Sequence, residues 1–127
     1  MIVADASAVV SGLLNSGSAR DLLARERMQV PHLVDIEVTS ALRRAAAAST
    51  ITAADGWSAL DTWRRLAVTR HPATGLLDRV WQLRADVTAY DATYVALAEA
   101  LECALVTADR RLARASGLRC PVTVVPR

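Results

Sequence analysis

Short apolar runs alternate with amphipathic stretches along the whole chain. Residues 2–4, 28–31, 67–69, 103–107 and 122–125 are apolar or β-branched and bounded by turn, polar or charged residues. They show no strict in–out alternation, which predicts strands buried on both faces. Between them, apolar residues recur at helical spacing. The pattern predicts helices over residues 8–14, 19–27, 33–48, 52–66, 73–84, 88–99 and 109–115. In the third of these, Leu33, Ile36, Val38, Ala41, Leu42 and Ala45 form the apolar set. Ser7, Thr52 and Thr88 stand where N-caps are expected, and Gly117 stands where the last helix should stop. Buried strands alternating with helices predict an α/β fold with a central, mostly parallel sheet of four or five strands. The 127 residues suit one domain, 1–127.

Composition narrows the chemistry. All 15 basic residues are arginine, so a P-loop lysine, a Schiff base and a lysine general base are excluded. The five glycines form no nucleotide-binding motif. No apolar run is long enough to span a membrane. Met1–Asp5 lacks a basic region and meets a carboxylate at once, unlike a signal peptide. Cys103 and Cys120 lack C-x-x-C spacing and read as small buried hydrophobes in a reducing cytoplasm. Charge is uneven: residues 1–63 carry 5 arginines and 7 acids, whereas residues 64–127 carry 10 arginines and 6 acids. Arg110, Arg111 and Arg114 fall in the basic half and are candidates to guide a phosphate backbone.

The carboxylates carry most of the signal. Asp5 ends the first strand, and Asp109 lies two residues beyond Thr107, where the strongest later strand ends. Ligands of parallel α/β sheets bind outside the carboxyl ends of the strands. Glu37 and Asp91 each lie near the start of an otherwise apolar helix. Each acid alone could be a cap or a first-turn acid favoured by the helix dipole. Four converging acids would repel one another, and no lysine is present to balance them. A divalent cation with oxygen ligands, Mg²⁺ or Mn²⁺, is the natural counter-charge, and no His/Cys cluster argues for zinc. Such a site suggests phosphodiester hydrolysis by metal-activated water. Ser7 and Thr107, beside the acids, are candidates to bind a phosphate, although a helix cap and a strand-end hydroxyl explain them equally. The aromatics Trp57, Trp63, Trp81, Tyr90 and Tyr94 could stack bases, but their helical spacing fits core or dimer packing.

Four segments together resemble the PIN domain, and within it the VapC toxins of bacterial toxin–antitoxin pairs. They are Val3-Ala4-Asp5-Ala6-Ser7-Ala8, Glu37 in its helix, Thr88 through Ala98 around Tyr90-Asp91-Ala92, and Leu105-Val106-Thr107-Ala108-Asp109. The resemblance covers essentially the whole chain and implies a three-layer α/β/α, metal-dependent endoribonuclease. It implies Asp5 and Asp91 as direct metal ligands, Asp109 as a metal support and Glu37 as a residue that positions water or a second metal. It further implies a homodimer, silenced by a cognate VapB-like antitoxin. Residues 110–119 hold no acid, whereas some relatives carry one there, so the number of metals stays open. Two other enzymes built on strand-end aspartates fail on their residues. A receiver domain needs a lysine, and a haloacid-dehalogenase-like phosphatase needs a lysine and an aspartate where Ser7 stands. A non-catalytic or regulatory binding module on the same fold remains the alternative.

Overall fold

The computed structural model describes residues 1–127. The chain runs β1 (Ile2–Ala4), α1 (Ala6–Leu14), α2 (Ser18–Arg25), β2 (Met28–Pro31), α3 (Leu33–Ala47), α4 (Ala53–Arg65) and β3 (Val68–His71). A 3₁₀ turn over Thr74–Leu76 leads into α5 (Leu77–Gln82), followed by α6 (Ala89–Ala100), β4 (Ala104–Thr107), α7 (Arg110–Ala113) and β5 (Val122–Val124). All five strands are parallel, in the order β3-β2-β1-β4-β5.

That order fixes the layers. From β1 the chain steps outward to β2 and β3, then crosses back to β4 and steps the other way to β5. Right-handed crossovers put α1–α4 on one face and α5–α7 on the other. The contacts agree: α1 packs on α2, α3 and α4, whereas α5 packs on α6 and α6 lies on β1, β2 and β4. The order reverses between β1 and β4, whose register pairs Ile2 with Ala104 and Ala4 with Val106. Asp5 and Asp109 therefore follow neighbouring strands at the switch point, where such sheets bind ligands.

The core explains the sequence pattern. Val3, Val30, Leu105 and Val106 are buried on strands covered from both sides, and α6 is buried continuously from Ala92 to Ala98. In α4 the buried stripe is Gly56, Ala59 and Trp63. Trp57 lies one residue out of phase with it and is exposed, as is Trp81. Only one of the three tryptophans is thus a core residue.

Several boundaries differ from the pattern-based ones. The 73–84 helix divides into a 3₁₀ turn and a short α5, because Gly75 weakens its first turn. The last helix stops at Ala113, and Gly117 serves the loop beyond it at φ +83°, a conformation glycine adopts without strain. Ser7 does not cap α1. Asp5 does, accepting from the Ala8 N–H at 3.0 Å, because the chain is still extended at Asp5 and already helical at Ser7. Thr52 and Thr88 cap α4 and α6 as expected. Cys103 and Cys120 are free thiols, half-buried at the feet of β4 and β5, and burial pushes both thiols up. No helix is long and apolar enough to cross a membrane.

Candidate active site

Asp5, Glu37, Asp91 and Asp109 line one cleft of about 610 Å³. They arrive from four segments: Asp5 from the end of β1, Asp109 from the end of β4, Glu37 from the first half of α3 and Asp91 from the first turn of α6. The Thr88 cap places Asp91, since its hydroxyl accepts from the Asp91 N–H at 3.1 Å.

Asp5 is the buried member and the most constrained. Its Oδ1 accepts from Ser7 Oγ at 2.6 Å and from the Ala8 N–H, while Thr107 Oγ1 donates to Oδ2. Each hydroxyl has one proton, and both are spent on Asp5. Their lone pairs then accept backbone N–H groups, Ala108 onto Ser7 at 2.9 Å and Asp109 onto Thr107 at 3.0 Å. The reading of Thr107 as a substrate contact is corrected by this geometry, because the side chain has no exposed surface and its hydroxyl is committed to Asp5. Ser7 does face the cleft, but its hydrogen bonds serve the same scaffold.

The other acids feel one another. Burial raises the Glu37 carboxyl above its ordinary value, and the charges of Asp91 and Asp5 add to this; a hydrogen bond from Tyr94 OH, at 2.6 Å, opposes it. Burial also pushes the Tyr94 phenol far up, so it stays protonated and donates. Asp91 is raised by burial and then by Asp5 and Asp109. Burial alone would raise Asp109 too, but the backbone N–H and guanidinium of Arg111 hold it below the usual range. No cation pairs with Asp5, Glu37 or Asp91.

This donor set fits a hard divalent cation: it is all oxygen, partly desolvated and negative, with only Asp109 paired to a cation. The acids do not close on one point, however, since no three His, Cys, Asp or Glu side chains are packed tightly enough to enclose an ion. One or two carboxylates with the remaining positions left to water is the way Mg²⁺ is ordinarily held. Of the arginines beyond Asp109, Arg111 is tied to Asp109, and it lines a smaller neighbouring cleft with Asp91 and Asp109. Arg110 and Arg114 are exposed and line neither cleft. Arg127, the last of the five arginines that follow Asp109 with no acid among them, lines the main one, as does Arg44. Nothing local in the sequence marks Arg44.

The scaffold around Asp5 makes a testable demand. Thr107→Val keeps the shape but removes the donor to Asp5 and the acceptor for the Asp109 N–H. Catalytic turnover at this cleft is expected to fall about 10- to 100-fold, the usual cost of losing a group that orients a site carboxylate, with Thr107→Ser restoring most of it. Unchanged turnover in the valine variant would show that Asp5 needs no such support.

Comparison with known proteins agrees with this fold. The PIN domain family matches residues 2–118. Ribonuclease VapC9 of Mycobacterium tuberculosis is 62% identical over 127 residues, covering 100% of both chains. The crystal structure of PAE2754 from Pyrobaculum aerophilum superposes with a TM-score of 0.71 at 25% identity, covering 95% of this chain and 81% of that one. The crystal structure of Mycobacterium tuberculosis VapC20, a toxin that cleaves the sarcin-ricin loop, superposes with a TM-score of 0.66 at 17% identity, covering 90% and 94%; at that identity the likeness is one of fold. The chain belongs to the PIN-domain family and, within it, to the VapC ribonucleases.

Proposed function

We propose that this chain is the toxin of a toxin–antitoxin pair, an endoribonuclease that hydrolyses RNA phosphodiester bonds with Mg²⁺, for which Mn²⁺ can substitute. The observation that carries the reading is the meeting of four carboxylates from four segments in one cleft at the switch point, three of them without a cationic partner. A bound divalent ion would lower the pKa of a coordinated water and neutralise charge developing on the phosphoryl oxygens.

The chain's own residues supply the rest. Asp5 and Asp91 would be its ligands. The three donors on Asp5 fix its orientation before an ion arrives, so little is lost in ordering it. Asp109, held by Arg111, would support the ion directly or through water. Glu37, whose proton affinity is raised, orients the attacking water and takes up its proton. Tyr94 holds Glu37 in place through its hydroxyl.

Family membership supports a VapB-like antitoxin as partner and the cytoplasm, where RNA is abundant, as the place of action. A homodimer is supported by exposed apolar side chains beside the acids: Ile36 adjoins Glu37 and Tyr90 adjoins Asp91, at 71% and 61% exposure.

The deciding experiment is inducible expression with mapping of new RNA 5′ ends, alongside cleavage of purified cellular RNA. New ends at defined positions and growth arrest are expected, together with cleavage in vitro that stops in excess EDTA and returns with Mg²⁺ or Mn²⁺. Full cleavage in EDTA would sink the metal mechanism, and intact RNA under every condition would leave a binding module.

A further inference from the structure

The cleft continues well beyond the acids. It runs between α1 and α3, and its lining follows helical spacing on both walls. On α3 the residues are Glu37, Ser40, Ala41 and Arg44, at i, i+3, i+4 and i+7. On α1, Val10 and Leu14 supply apolar floor. Two helical turns separate Glu37 from Arg44, about 10.5 Å along the axis. The cleft is therefore acidic where the strands end and changes character outward.

Arg44 is placed to meet an anion. It makes no ion pair; its one side-chain hydrogen bond runs from Nη1 to Ser40 Oγ at 2.9 Å and leaves the remaining donors free. Five other arginines (Arg64, Arg65, Arg70, Arg79 and Arg111) are paired with acids. Arg127, also without an ion pair, reaches the same cleft because Ser11 Oγ donates to the Pro126 carbonyl and ties the tail across α1. Thr50 adds a hydroxyl to the lining of the same cleft.

An RNA strand cannot lie along acids alone. When its scissile phosphate meets the carboxylate end, the next phosphates of the strand either run into solvent or follow the cleft. Along the cleft they reach a planar guanidinium, whose fork matches phosphate oxygens. We infer that the outer end of the α1–α3 cleft is a backbone-phosphate subsite, built on Arg44 with Ser40 and Thr50, that holds the RNA strand beside the bond being cut. This rests on the ribonuclease reading above and adds a binding element to it. A phosphate contact carries no base information, so the subsite sets the register of the strand and not its sequence.

The test compares neighbouring arginines. Arg43 and Arg44 are both exposed, but only Arg44 lines the cleft. Arg43→Gln and Arg44→Gln remove the same charge, and neither side chain belongs to the core. In an Asp91→Asn background that keeps the strand whole, binding of a mixed-sequence 12-nucleotide single-stranded RNA is followed by fluorescence anisotropy across salt concentrations. Arg44→Gln is expected to weaken binding about tenfold near 0.1 M salt, the loss of one charge-assisted contact. It should also flatten the slope of log affinity against log salt by about 0.7, the value for one phosphate on a single strand. Arg43→Gln should change neither, and Arg44→Lys should recover the slope. Equal effects from both glutamine variants, or none from either, would overturn the subsite. Cleavage by the otherwise wild-type chain is measured in parallel with Mg²⁺ and Mn²⁺. Its absence would overturn the ribonuclease reading, while the paired binding comparison would still decide whether Arg44 holds the strand.

Discussion

Asp91→Asn is expected to abolish RNA cleavage, by about a thousandfold or more, and at the same time to make the metal-free chain more heat-stable. The two effects share a cause. Asp91 stands half-buried, facing Asp5 and Asp109, and its pKa is raised above the ordinary 3.8. A carboxyl raised on folding holds its proton longer in the folded state than in the unfolded one. Its contribution to stability therefore falls as pH climbs from its unfolded value through its folded value, and at neutral pH the penalty is fully present. Asparagine removes it. In EDTA at pH 7 the variant should melt roughly 2–4 °C above wild type. With Mg²⁺ the order should reverse, because only wild type gains stability from the ion, about 2.7 kcal/mol at a hundredfold excess over Kd. Calorimetry with and without metal reads this directly. Equal metal-induced shifts in both proteins, or undiminished cleavage by the variant, would remove Asp91 from the site. Asp5 is a less clean test. Its carboxylate also caps α1 and accepts two hydroxyls, so Asp5→Ala leaves the α1 cap and two donors unsatisfied, at a stability cost of about 1 kcal/mol for the cap alone.

Asp35→Ala is expected to do the reverse, lowering stability by about 2 kcal/mol while leaving cleavage intact below the unfolding temperature. Asp35 lies two residues before Glu37 on the same helix and takes no part in the cleft. Its carboxylate receives Arg70 through both Nε and Nη2, at 2.7 and 2.8 Å, and the Trp63 indole N–H at 2.8 Å. Arg70 in turn lies over the Trp63 ring, 5.7 Å from its centroid. One carboxylate thus joins α3, α4 and β3. Removing it orphans the indole N–H of a buried tryptophan. Asp35→Asn keeps an acceptor for the indole and should lose less. The Arg70 guanidinium, against the opposing effect of burial, holds Asp35 below its ordinary value. This contribution is complete above the unfolded pKa and fades as pH falls through the lowered folded one. The alanine variant should therefore differ most from wild type at neutral pH and converge with it in acid. A stability loss that persisted at pH 2 would point to packing instead.

This pair of acids shows what a single sequence discloses. Asp5 and Asp109 were legible because apolar runs stop at them, and in a parallel sheet such stops share one edge. Asp91 and Glu37 stood out as charges in apolar helices. Asp35 did not, because its partners lie 28 and 35 residues away and only the fold brings them together. Glu99 is similar: it reads as the next acid along α6, yet it clamps Arg79 and the Arg119 N–H, tying α5 and the loop before β5 to that helix. Serine favours the cap position, which is why Ser7 is expected there, but the cap of α1 is Asp5, for which the sequence offers both a cap and a site role. Trp57 and Trp63 have the same composition signal and opposite fates, decided by one residue of helical phase. Arg44 was invisible, since an exposed arginine becomes a site only when a cleft runs past it.

The central strand has a consequence for the order in which the molecule is made. β1 is the first strand synthesised, yet one of its two neighbours is β4, and the Thr107 hydroxyl that orients Asp5 comes 102 residues later. Closing so long a loop is slow compared with forming the local helix pairs. On a ribosome, β1, β2 and β3 with their helices can collapse while the cleft still lacks a wall, and Asp109 emerges after every other acid of the site. The cleft of a nascent chain is therefore incomplete until the last quarter of the sequence has left the exit tunnel.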